Sequence, residues 1–212
     1  MLVEIWSDVV CHWCYIGKRR FEAGLAAFDR RDEVEVVWRS YQLDPDAPPI
    51  TGVRTIDHLA TKYGVSRDEA EAMQDRVARA AEGEGLEYHL DRTQRGNSFD
   101  AHRLLHLAAE HGVQDELKER LLHAYFTEGQ AIGDPDVLDA LAVDVGLDAD
   151  EVAELLAGDQ HGDDVREDEA TARQLGCNGV PFFVIDRRFG ISGAQPAEAF
   201  TEVLARAFED IA

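Results

Sequence analysis

Strand-forming sequence is concentrated at the two ends of this 212-residue chain. Near the start, residues 2–6 make a short apolar run. Residues 33–39, EVEVVWR, are rich in β-branched and aromatic side chains with partial alternation, the pattern of a second strand. Near the other end, residues 181–185 read as a strand and residues 188–191 as its short partner. Neither pair has enough strands for a stable sheet of its own, so the economical solution is one sheet built from both ends of the chain. The class expected is therefore α/β, with the middle of the chain as an insertion.

That middle is almost entirely helical in pattern. Residues 15–30 carry Ile16, Phe21, Leu25 and Phe28 near helical spacing, so the first strand runs into a helix. The DPDAPP cluster at residues 44–49 is the densest proline run and marks a boundary. From about residue 55 to 157 helix signals dominate. Ser66 with Glu69 three positions on makes a capping box that opens a run to Ala81. Asn97 or Ser98 caps a helix bearing Phe99, Leu104, Leu105 and Ala108, and Pro135 after Asp134 sits at a tolerated first-turn position. Residues 163–175 and 196–211 supply two further helices, the first stopped by Gly176. The expected division is residues 1–45 with 158–212 as one discontinuous domain and 46–157 as an all-helical insertion.

Composition narrows the function. A 45% hydrophobic content suffices for a packed core. Against 21 Lys and Arg stand 43 Asp and Glu, a formal net charge of −22. Such a field repels phosphate backbones and anionic lipid, so neither nucleic acid nor membrane is an expected partner. The opening MLVEIWSDVV has no basic region, long apolar stretch or cleavage site, and no later run approaches the roughly 18 apolar residues of a membrane span, which predicts a cytoplasmic protein. Permanent disulfides are rare there. No glycine-rich dinucleotide fingerprint or P-loop occurs, so no organic cofactor is expected.

Two of the three cysteines, Cys11 and Cys14, flank His12 and Trp13 in WSDVVCHWCYIGKRRF. The pair admits three readings: a redox dithiol, part of a metal site, or two small buried thiols. Zinc needs four ligands and no second C-x-x-C is present, so no metal is expected. For a dithiol the placement is apt, because a sulfur at the start of a helix faces free N–H groups and the positive dipole end, which favour thiolate. Cys11 falls at that start and Cys14 one turn further in, so Cys11 would be the nucleophile and Cys14 the resolving thiol. A cationic His12 would favour the thiolate further, and Trp13 would offer a flat apolar contact. The third cysteine, Cys177, lies four residues before Pro181 and is expected at a helix end in the core. His102 and His106, spaced i, i+4, lack a third ligand at suitable spacing and read as surface or internally satisfied histidines. Phe182 and Phe183 should face opposite sides of the sheet.

Three segments in order, SDVVCHWCYIGKRRFE, NSFDAHRLLHLA and GVPFFVIDRRFGISGAQ, resemble the DsbA family, in particular its cytosolic FrnE-like branch. That resemblance spans nearly the whole chain and implies a thioredoxin-like fold with an inserted helical domain. It implies a cis Val180–Pro181 bond packed beside Cys11, with neighbouring backbone available to a substrate that is a dithiol or disulfide protein or a small thiol. It also brings Asn97 and Ser98 over the site as candidate substrate contacts, beside their capping reading. Members of the branch commonly have proline where this chain has His12, so potential and direction do not carry over. Kappa-class glutathione transferases and hydroxychromene-carboxylate isomerases share the fold and typically carry serine where Cys11 stands. A small-thiol transferase or isomerase is the enzymatic alternative.

Overall fold

The computed structural model describes residues 1–210, the side chain of Thr51 excepted. Strand β1 (Leu2–Ser7) leads into α1 (His12–Ala26) and then β2 (Glu35–Ser40). The middle holds β3 (Ile50–Arg54), α2 (Thr55–Tyr63), α3 (Arg67–Glu82), β4 (Gln94–Gly96), α4 (Phe99–Glu110), α5 (Gln114–His123), α6 (Pro135–Asp144) and α7 (Ala149–Ala157). The chain closes with α8 (Gly162–Gln174), β5 (Phe182–Ile185), β6 (Phe189–Ser192) and α9 (Ala197–Glu209). Residue 211, where the sequence pattern ended the last helix, lies outside the described residues.

The main sheet runs β2-β1-β5-β6, so strands from both ends of the chain share it. β1 pairs parallel with β2, from Leu2 opposite Glu35 to Ser7 opposite Ser40, and antiparallel with β5, Ile5 opposite Phe183. One face packs on α1 and α9 through Val3, Ile5, Phe21, Phe183, Phe200 and Leu204. The other buries Trp6, Phe182 and Val184 against Ala172 and Cys177. Phe182 and Phe183 thus point to opposite faces, as alternation requires. On the second face Glu4, 1% exposed, is held by both Arg39 and Arg187, and Arg39 also reaches Asp168. A carboxylate buried so completely depends on that pairing.

The edge of β2 is closed by side chains rather than by another strand. Trp38 N–H donates to Gln114 Oε1 and its carbonyl accepts from Gln114 Nε2, both at 3.0 Å, so one amide imitates a neighbouring peptide group. The N–H groups of Ser40 and Gln42 donate to Asp168 and Glu169. Covering an exposed edge in this way blocks pairing with a foreign strand.

The insertion departs from expectation in one respect, since it is not wholly helical. β3 and β4 form a small antiparallel ribbon, Ile50 opposite Gly96 and Arg54 opposite Gln94. Its strands lie about forty residues apart in sequence and leave Ile50 and Val53 exposed, so no buried alternation announces them. The capping box at Ser66 and Glu69 is present in both directions, and Asp134 caps α6 as Pro135 enters its first turn. Among the described residues no helix is long and apolar enough to cross a membrane.

Helix α1 meets α9 at Gly24, where an added Cβ would lie 2.5 Å from the Ala197 carbonyl oxygen and 2.8 Å from Phe200 Cβ. Both neighbours are fixed, so Gly24→Ala must separate the helices. The expected cost is about 1–3 kcal/mol. At roughly 2–4 °C per kcal/mol for a chain of this size, a thermal melt should show a drop of several degrees.

Candidate active site

Cys11 is the residue before the first turn of α1, with extended dihedrals (φ −87°, ψ 112°), and its carbonyl accepts the Cys14 N–H at 3.0 Å. A chain turning sharply out of β1 through residues 8–10 places it there. Its Sγ–H donates to the Val180 carbonyl at 3.4 Å, a contact across 169 residues of sequence. Val180–Pro181 is cis. The proline ring lies against α1 so closely that a Cβ on Gly17 would come within 2.8 Å of Pro181 Cγ. The two ends of the chain therefore meet at one sulfur.

The two sulfurs differ in access. Cys11 is 5% exposed and Cys14 fully buried, and both are free thiols, as is Cys177. Between them, Trp13 is 44% exposed and available to a partner. His12 turns the other way. Its ring packs on Phe126 at 5.3 Å, its Nε2 is buried without a partner, and burial lowers its pKa to about 4. It is therefore neutral in ordinary conditions and does not supply the thiolate-stabilising cation expected from adjacency. Burial raises the Cys11 thiol well above its ordinary range, helped by the Cys14 sulfur and the Asp8 carboxylate, while the Cys14 N–H acts in the opposite sense.

The insertion frames this site from behind and from one side. Asp8 is fully buried and accepts from Leu43 N–H at 2.7 Å and from Val10 N–H at 3.4 Å. His102 Nε2 lies 3.4 Å from Asp8 Oδ1 and the histidine itself is fully buried. Burial pushes the Asp8 carboxyl up, but hydrogen bonding and charge at His102, with the Leu43 N–H and Ser98, outweigh it and leave its pKa lowered. Tyr88 donates its hydroxyl to the His12 carbonyl at 2.8 Å and stacks on Phe126 at 4.6 Å. Phe126 belongs to a π-helical turn, residues 124–128, that continues α5 and ends at Gly129 in the left-handed region.

The other sequence candidates differ in burial, Ser98, His102 and Cys177 being buried and Asn97 and His106 half-buried. Asn97 accepts from Phe99 N–H and Gln42 Nε2 and donates to the carbonyls of Pro45 and Ala47, tying the proline-rich loop to α4. Ser98, 3% exposed, is turned toward Asp8 and makes no capping bond of its own. These engagements tie Asn97 to the backbone of the proline-rich loop and Ser98 to the buried Asp8. His106 meets Ser40 Oγ at 3.0 Å and Asp168 at 3.3 Å, whereas His102 meets Asp8 through Nε2 and leaves its buried Nδ1 without a partner among the described residues. Cys177 follows α8 and donates to the Gly179 carbonyl at 3.3 Å. The sequence does not single out Asp8, Tyr88 or Phe126. Asp8 stood three positions before Cys11 and could have been suspected, whereas the insertion residues carry no local sign of their target.

Residues 2–205 match the family described as the DSBA-like thioredoxin domain. The chain is a member of that family, whose proteins include thiol–disulfide oxidoreductases. Its structure is similar to that of a probable DsbA oxidoreductase, SCO1869 of Streptomyces coelicolor, with 47% identity and TM-score 0.94 over 99% of this chain and 90% of that one. YwbO of Bacillus subtilis is 28% identical over 205 residues, 96% of this chain and 95% of its own. The cytosolic disulfide reductase DsbM of Pseudomonas aeruginosa, solved with GSH, shares the fold at TM-score 0.68 and 19% identity over 97% of this chain and all of that one.

The pH dependence of Cys11 alkylation should reflect burial and a neutral His12. In reduced protein the half-maximal rate is expected at or above the ordinary thiol value of about 8.5. His12→Asn should leave the midpoint in place. A rise of about one unit in that variant would instead reveal an imidazolium charge acting on the sulfur.

Proposed function

We propose that this protein exchanges dithiols and disulfides through Cys11 and Cys14. The observation that carries the reading is the placement of a slightly exposed Sγ at the entrance of α1, beside the Val180 carbonyl, with a second, buried sulfur one turn behind it. The Cys11 thiolate attacks a substrate disulfide, one sulfur–sulfur bond forms as another breaks, and the first substrate thiolate leaves and takes up a proton. Cys14, as thiolate, then attacks Cys11 Sγ. The substrate departs as its second thiol, reduced by two electrons, and Cys11 and Cys14 are joined. Run in reverse, the same steps oxidise a substrate.

The site favours reduction over oxidation. A strongly oxidising pair is one whose reduced form is stabilised as thiolate, and here burial, a carboxylate and a neutral imidazole act against that charge at Cys11. The exposed Trp13 next to Cys11, with the main chain at Val180 opposite the sulfur, suits an extended peptide or a small thiol. A location in the cytoplasm fits this direction. The transferase or isomerase alternative is disfavoured by a sulfur at position 11 that would compete with a bound thiol.

Equilibration with glutathione buffers, followed by mass of the alkylated thiols, should give a potential below about −200 mV, on the reducing side of strong oxidants near −120 mV. In an insulin-reduction assay Cys11→Ser should abolish exchange, and Cys14→Ser should accumulate mixed disulfides at Cys11. Full turnover by Cys11→Ser in this assay would remove Cys11 as the nucleophile and with it the proposal.

A further inference from the structure

The insertion holds a cleft that disulfide exchange does not use. It encloses about 300 Å³ between Arg54, the residue before α2, and the face of α3 that carries Gln74, Asp75 and Ala78. Ile56, Leu90 and Tyr88 supply the rest of its apolar and aromatic lining. That volume is at the small end for small-molecule sites, which set a few polar groups in apolar surroundings. Tyr88 also donates to the His12 carbonyl at 2.8 Å, so one wall of the cleft is the side chain that clamps the start of α1.

Two observations point to a ligand. Gln74 is only 7% exposed, and its Nε2 is buried with no acceptor among the described residues. A buried N–H without an acceptor is costly, and at the wall of a cleft an entering molecule can complete it. The second observation is charge that does not meet. Arg67 and Glu71, at the rim, pair with each other at 3.1 Å. Among the described residues no carboxylate pairs with Arg54 and no cation with Asp75 or Asp91, although all three line the same cleft. The adjoining cleft, which shares Asp75, Ala78 and Tyr88, has no orphaned buried polar atom among its described lining residues.

A simple anion would answer Arg54 but meet two carboxylates, and a simple cation would do the reverse. A molecule that carries both charges answers all of them. We propose that this cleft binds a small α-amino acid with an apolar side chain. Its carboxylate is taken by Arg54 and the Gln74 amide, its ammonium by Asp75 and Asp91, and its side chain lies against Ile56, Leu90 and Tyr88. A guanidinium suits the carboxylate because its planar N–H groups match two oxygens at once. Binding here involves neither Cys11 nor Cys14 and does not depend on the exchange reading.

Full-length protein, ¹⁵N-labelled at glutamine, can be titrated with L-leucine and with L-phenylalanine. The Gln74 side-chain amide resonance, assigned by its absence from Gln74→Leu, should move and saturate with at least one of them. The N-acetyl derivative of that amino acid keeps the carboxylate and loses the ammonium, and the amide derivative does the opposite. Each should bind at least about tenfold more weakly, as the loss of one charge-assisted contact requires. Arg54 is exposed and pairs with no carboxylate among the described residues, so Arg54→Met should leave the thermal melt in place while weakening binding to a similar extent, and Arg54→Lys should recover part of it. No saturable shift with either amino acid, equal binding of either blocked derivative, or unchanged binding by Arg54→Met would each overturn the proposal. Disulfide exchange can succeed or fail in the wild-type protein without altering that outcome.

Discussion

The structure depends on the pairing of β1 with β5. β1 is the second strand of the sheet and has only β2 as a neighbour from its own end of the chain. Its other edge is closed by Phe182 to Ile185, and the same register brings Val180 and Pro181 up to the start of α1. Without that long-range ladder β1 has no partner on its second edge, and the Cys11 sulfur has no backbone opposite it. Closing so large a loop is entropically costly, and the contacts of Phe21, Phe183 and Phe200 on one face and Trp6 and Phe182 on the other offset it.

The insertion does more than fill the gap between the strands. Its residues reach the site at several points: Tyr88 at the His12 carbonyl, Phe126 at the His12 ring, His102 at Asp8 and Lys118 at the end of β1. Gln114 closes the edge of β2. The core of the helical block is continuous with Val9, Tyr15 and Ile16, so the helices bury the inner side of the reactive turn as well as one another. This sets the electrostatics of the pair. The N–H groups at the start of α1 favour a thiolate, whereas the apolar wall and the Asp8 carboxylate oppose it, and at Cys11 the opposing effects are the larger.

Much of the architecture was legible from local patterns. The strand-to-helix order at both ends, the capping box at Ser66, the proline entry to α6 and the opposed faces of Phe182 and Phe183 follow from periodicity and cap chemistry, which act over a few residues. The β3–β4 ribbon is not legible in the sequence because its exposed side chains carry no buried alternation. Nor is the environment of His12. Adjacency to two thiols suggests a cation, but whether an imidazole is charged depends on what surrounds the ring, and Phe126 is 114 residues away.

The amino-acid sequence alone determined the α/β class, the split of the sheet between the chain ends, and the position of two thiols at the entry to a helix. These rest on hydrophobic period and backbone preference, which each segment carries within itself. The tertiary structure decided the burial of the His12 ring against Phe126, the buried Asp8 and His102 pair, the burial of Lys118 at the Ser7 carbonyl and the hydrogen bonds that hold Asn97. Burial and the distances between charges are properties of packed neighbours. No single stretch of chain contains them.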